Sequence, residues 1–228
     1  MWPADEVPNR RHSISSKVEI IDDPLLKAEA EARNGLRQFD SVRATIEDFI
    51  PPSEKKFKLR SSLILSLHND ALEGISSYAG NFRPGDVQIS GSSHSPVKKH
   101  LVAGLVEELC DYVNENWRNK TALHLAAYVM WRLNWIHPFE DGNGRTSRAV
   151  SYVVLNIKIG YLLPGVNTIP EQIVLNREPY FEALEAADAA WKENILDLTK
   201  LELLLEALLS RQLLSVLENA SGKEIDVR

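Results

Sequence analysis

The 228-residue chain holds a single cysteine, Cys110, so no disulfide can form within it. It lies in Val106-Glu-Glu-Leu-Cys-Asp-Tyr-Val, where a thiol reads as a small buried hydrophobe rather than a nucleophile. Nowhere do apolar residues run for the roughly 18 positions that a membrane-spanning helix needs. The opening Met-Trp-Pro-Ala-Asp-Glu lacks the charged-then-apolar order of a secretory signal, so a cytoplasmic protein, or an effector delivered into another cytoplasm, is expected. The six histidines show no His-x₃-His spacing, and paired cysteines are missing, which removes the common zinc patterns. No Gly-x₄-Gly-Lys-Ser/Thr run occurs, which excludes a P-loop enzyme. No internal repeat is evident. A net charge of −6 gives no reason to expect nucleic acid as a partner.

What remains is an ordinary globular composition, 44% hydrophobic and 25% charged, with enough chain for one well-buried core. Apolar periodicity predicts helices over 25–49, 61–74, 97–116, 121–136, 145–159, 171–176, 180–191 and 195–219. Within 97–116, Leu101, Leu105, Leu109 and Val113 form the expected core stripe. Pro51-Pro52 closes the first helix. The exception is 81–96, where Pro84-Gly85 and Gly91-Ser92 bracket the alternating Val87-Gln88-Ile89, a short predicted strand. The leucine-rich last helix, punctuated by Asp197, Lys200, Glu202, Glu206 and Arg211, is expected to pack on the core. The alternative for it is a partner helix or a homodimer contact. An all-α fold with a small β element follows.

The densest chemistry is the run His137-Pro-Phe-Glu-Asp-Gly-Asn-Gly-Arg-Thr-Ser-Arg148. Pro138 disfavours helical geometry at His137, which ends the preceding helix and lifts the imidazole out of it. Asp141-Gly142-Asn143-Gly144 is turn chemistry leading into the next helix, whose first N–H groups make an anion site. Arg145 and Arg148, three apart, share a face of the first turn and can clamp phosphate oxygens. Asp141 is a hard oxygen ligand suited to Mg²⁺ shared with phosphates. His137 is expected to titrate near neutral pH and to accept a proton from a hydroxyl.

At every specified position this run resembles the His-Pro-Phe-x-Asp/Glu-Gly-Asn-Gly-Arg-x-x-Arg motif of Fic (filamentation-induced-by-cAMP) domains. The resemblance extends over the preceding helix and over 79–89. It implies an all-α, Fic-fold helical bundle with a β-hairpin flap, and transfer of AMP from ATP to a Ser, Thr or Tyr hydroxyl of a target protein. By the same resemblance, His137 is the catalytic base and Asp141 the Mg²⁺ ligand. Gly142, Asn143 and Gly144 form the anion hole, Arg145 contacts phosphates, and Arg148 holds the distal ones. The Doc branch, which phosphorylates instead, carries Lys where this chain has Gly144. The flap, Val87, Gln88 and Ile89, is expected to register the target by strand addition. An aromatic at Tyr180 is expected to line the adenine pocket, with core packing as the alternative.

Near the start, Ser15-Ser16-Lys17-Val18-Glu19-Ile20 resembles the family's inhibitory Ser/Thr-x-x-x-Glu-Gly/Asn helix, with Ile20 departing from it. A carboxylate from Glu19 on Arg148 would occupy the cation meant for the γ-phosphate. The alternative for Ser15 and Glu19 is a capping serine and a solvated glutamate. The expected layout is an N-terminal helical segment over 1–50, a Fic core over 51–195 and a C-terminal helix over 196–228. Two other functions stay open: transfer of a different nucleotide or phosphate moiety, and a non-catalytic nucleotide- or partner-binding module.

Overall fold

Two helices joined by the motif loop make the centre of the molecule. Residues 125–133 are buried without a break in α4 (Ala122–Ile136), and 146–157 likewise in α5 (Asn143–Ile159). Helices buried on all sides must lie inside a bundle rather than on its surface. Small residues on the facing surfaces let the backbones approach, and Ser151 Oγ donates to the Ala126 carbonyl at 2.8 Å. The structure, a computed structural model, describes residues 13–14, 20–92 and 94–221.

The other described helices wrap this pair. Asp23 caps α1 (Pro24–Phe49), accepting from the N–H groups of Leu25 and Leu26. Its inner face carries Ala30, Val42 and Ile46, but also Glu31, Asn34 and Gln38, all buried. Polar groups in that position need partners. Asn34 donates to the carbonyls of Ala71 and Glu73, and Gln38 to that of Leu67. The stripe therefore fastens α1 to α2 (Ser61–Leu72). The helix α3 (Val102–Glu115) follows a 3-10 turn over Lys99–Leu101. That tighter turn rotates the chain, so the buried face is Val102, Val106, Leu109, Cys110 and Val113. Leu101, expected in the stripe, is 46% exposed. Burial pushes the Cys110 thiol up to about 12, as suits an inert packing residue.

After α5 come α6 (Ile169–Leu175), α7 (Glu178–Lys192) and α8 (Thr199–Ser221). Leu201, Leu205, Leu208 and Gln212 turn inward from α8 at helical spacing, toward α4, α6 and α7. Gln212 also accepts from Ile169 N–H and donates to the Tyr152 hydroxyl. Among the described residues the only strands are β1 (Ser13–Ile14) and β2 (Gln88–Ile89), antiparallel, with Ser13 opposite Ile89 and Ile14 opposite Gln88. The expected flap is therefore not a local hairpin here: its strand pairs with a segment from far back in the chain. The helical fold class stands as read from the sequence.

Candidate active site

The loop between α4 and α5 is shaped by its own side chains. His137 caps α4 in a left-handed conformation (φ 53°, ψ 60°), which breaks the helix just before Pro138. Asn143 then closes the loop on itself. Its Oδ1 accepts from Phe139 N–H at 3.0 Å, and its Nδ2 donates to the Phe139 carbonyl at 2.8 Å. Gly142 starts α5 at φ 75°, and a Cβ there would come within 3.0 Å of Leu72 Cδ1. Glycine is required on both counts. Helix α5 begins two residues earlier than the pattern predicted, so Asn143 and Gly144 belong to its first turn, whose N–H groups have no intrahelical carbonyl to meet.

This loop forms one wall of a cleft of about 840 Å³, counting the solvent at its mouth. His137, Asp141, Gly142, Asn143, Gly144, Arg145 and Arg148 all line it, as does Tyr180. The structure thus brings together every residue singled out in the motif. Arg148 is buried and folds back over the first turn of α5. Any Cβ on Gly144 would sit 3.1 Å from its Nη1, so a side chain at 144 would displace the guanidinium. Arg145 Nη2 lies 3.3 Å from Glu31 Oε1 and 3.5 Å from Asp141 Oδ2. Of the three flap residues only Ile89 reaches the cleft; Val87 is buried elsewhere and Gln88 is exposed. The inhibitory pair Ser15 and Glu19 lies outside the described residues.

His137 departs from expectation in its electrostatics. Burial, the leading cause, pushes its pKa down to about 4, and the nearby charges of His94 and Arg83 act in the same direction. The ring is therefore neutral at pH 7 and able to accept a proton, rather than poised to titrate there. Arg83 holds its backbone: Nε donates to the His137 carbonyl at 2.8 Å and Arg83 N–H to the Pro138 carbonyl at 2.9 Å. Arg83, Glu31 and His68, the last beneath the loop, carried no sequence signal, because each acts from a distant segment.

The cleft also has an aromatic lining. Trp131, Trp135, Phe181 and Leu184 line it together with His94 and Asp188. Asp188 Oδ1 accepts from Trp131 Nε1 at 2.8 Å, and its Oδ2 stands 3.7 Å from His94 Nδ1. His94 Nε2 meets the Trp135 carbonyl at 2.8 Å, which ties the segment after β2 to α4. The Tyr180 hydroxyl accepts from Asn134 Nδ2 at 2.8 Å, so Tyr180 both packs and lines the cleft. Aromatic side chains and a cationic, glycine-rich loop lining one cleft have the two-part chemistry of a nucleotide site.

Residues 58–155 match the model of the Fic/DOC family. This segment is a Fic domain. The chain is 33% identical over 141 residues to a protein adenylyltransferase Fic of Drosophila willistoni, covering 59% of this chain and 26% of that protein. It is 26% identical over 176 residues to a probable protein adenylyltransferase of Aquifex aeolicus, covering 75% of this chain and 51% of that one. The chain thus spans about a quarter to a half of the length of these relatives. In fold it is similar to a Fic domain containing signaling protein from Bacteroides thetaiotaomicron. That match has a TM-score of 0.70 at 22% identity, over 90% of this chain and 78% of the other. A Fic-1 fragment from C. elegans superposes with a TM-score of 0.63 at 18% identity, over 89% and 54% of the two chains.

A metal fits the mouth of the cleft only as a shared ion. Asp141 is a single carboxylate, about one-third exposed on the cleft wall. No group of three His, Cys, Asp or Glu able to hold a metal occurs among the described residues. Such a site suits Mg²⁺ that arrives with phosphate oxygens, which needs only one or two protein carboxylates. No helix among the described residues is long and apolar enough to cross a membrane.

Proposed function

We propose that this chain is a protein adenylyltransferase, moving AMP from ATP to a Ser, Thr or Tyr hydroxyl of a target protein. The observation that carries this reading is the convergence of a neutral His137, Asp141 and Arg148 on one cleft that aromatic side chains also line. Kinship to relatives named protein adenylyltransferase supports it.

On this reading the nucleobase packs against the aromatic residues of the cleft. The first turn of α5 and Arg148 receive the triphosphate, and Arg145 leaves Glu31 in part to join them. Asp141 would hold the Mg²⁺ that accompanies ATP, which would neutralise charge on the phosphates. The target hydroxyl attacks the α-phosphorus in line. Its oxygen–phosphorus bond forms as the bond to the β-phosphate bridge breaks, pyrophosphate departs, and the hydroxyl proton passes to His137. The negative charge of bound phosphates favours the resulting imidazolium, offsetting the burial that depresses its pKa. Catalysis here is chiefly alignment and charge neutralisation. A target strand would lie along β2, at the edge that β1 occupies.

Incubation with α-labelled and, separately, γ-labelled ATP in the presence of a lysate tests this directly. Protein labelled only from the α position is the expected result; label from γ alone would mean kinase chemistry. His137→Ala should lose about 10²–10⁴-fold in transfer while binding ATP as well as the parent chain. A matching loss of ATP affinity in calorimetry would contradict the role given to His137.

A further inference from the structure

Helix α2 carries a histidine outside the cleft lining. His68 is 1% exposed and sits beneath the motif loop. The N–H of Gly80 donates to its Nδ1 at 3.0 Å, so that nitrogen keeps a lone pair. Nε2 lies 3.0 Å from the Asp141 carbonyl oxygen and must then carry the proton. Only the neutral Nε2–H tautomer satisfies both neighbours. The ring also stacks on Phe139, with centroids 3.7 Å apart and planes 6° apart. A Cβ on Gly142 would approach its Cδ2 to 3.3 Å. One side chain therefore meets Phe139 and Asp141 of the loop and Gly80, at the start of the segment that leads to β2.

A phenyl ring would fill the same space and stack as well. What imidazole adds is a donor at one end and an acceptor at the other, in a buried place where an unpaired nitrogen would be costly. We propose that His68 is a positioning residue: a strut between Gly80 and the Asp141 peptide that sets how the Asp141 carboxylate and the head of α5 face the cleft. It deepens the transferase reading and rests on it for its catalytic consequence. Misplacement of reacting groups by even 1 Å is of order 10²-fold in rate, which gives a single buried hydrogen bond its leverage here.

Two substitutions separate the two ends of the strut. Glutamine places its amide nitrogen near the position of Nε2, so His68→Gln keeps the donor to Asp141. Asparagine places its amide oxygen near Nδ1, so His68→Asn keeps the acceptor for Gly80 and loses that donor. In the full chain without nucleotide, amide hydrogen exchange over 139–146 should be about tenfold faster in His68→Asn and nearly unchanged in His68→Gln. At saturating ATP, kcat for AMP transfer should fall about 10²-fold in His68→Asn, with KM for ATP within about threefold, and far less in His68→Gln. Equal exchange in the two variants removes the strut, whatever their activity. A loosened loop with parental kcat removes the positioning role. A parent chain that transfers no AMP overturns the transferase reading, and the exchange measurement then still decides the strut.

Discussion

Acid should weaken this fold through two rings well before its carboxylates are protonated. Burial is the main cause that pushes both His68 and His137 down to about 4, from the 6.5 of an exposed imidazole. In the unfolded chain each ring takes up a proton as the pH falls through 6.5; in the folded chain it does so only near 4. The folded state binds fewer protons in between, so stability rises with pH across that window. The contribution is complete above about pH 6.5 and lost by the time pH reaches about 4. The gap corresponds to about 3 kcal/mol for each ring and about 6 for both. That is a large share of the roughly 5–15 kcal/mol by which a domain is stable. Urea denaturation at successive pH values should show stability falling by about 2.4 kcal/mol per pH unit near pH 5. His68→Gln, with one ring removed, should halve that slope. Stability that stays flat from pH 7 to 5, or imidazole resonances that titrate near 6.5 in the folded chain, would refute the reasoning.

Gly142→Ala combines a left-handed backbone with a contact at 3.0 Å to Leu72, and should cost about 2–4 kcal/mol in denaturant melts. A loss below about 0.5 kcal/mol would show that α2 does not floor the loop. Glu31→Gln leaves Arg145 with a weaker counter-charge in a mostly buried place, so stability should drop by about 3 kcal/mol. Isothermal titration of the same variant should show several-fold tighter ATP binding, because the guanidinium is less engaged; weaker binding would mean that Glu31 aims Arg145 at the phosphates. Ile14→Pro removes an N–H beside Gln88 and should loosen β1 from β2. Transfer to a target protein should then rise, whereas unchanged transfer would mean that β1 does not compete for that edge.

Much of the candidate site was legible because it is local. Twelve consecutive residues hold the cap, the turn and the first helical turn, and neighbours in sequence cannot avoid being neighbours in space. Helices α4 and α5 were equally legible from period 3.6, since an apolar face must be buried whatever lies against it. In α3 the expected stripe holds at Leu109 and Val113, but Leu101 is exposed and Val102 and Val106 turn inward, because a 3-10 turn leads into the helix and hydrophobicity alone cannot distinguish that turn from an α-helical one.

What the amino-acid order alone determined, then, was the run from His137 to Arg148 and the helices that frame it. Tertiary structure decided the rest. It set His68 under Asp141 across 73 residues, Glu31 against Arg145 across 114, and Arg83 on the His137 carbonyl across 54. It also buried His137 deeply enough to keep it neutral, and laid β1 along the strand read as one limb of a hairpin. The physical reason is range. Periodicity and capping act within a turn or two, while a buried polar side chain finds its partner only after the core has brought distant segments together.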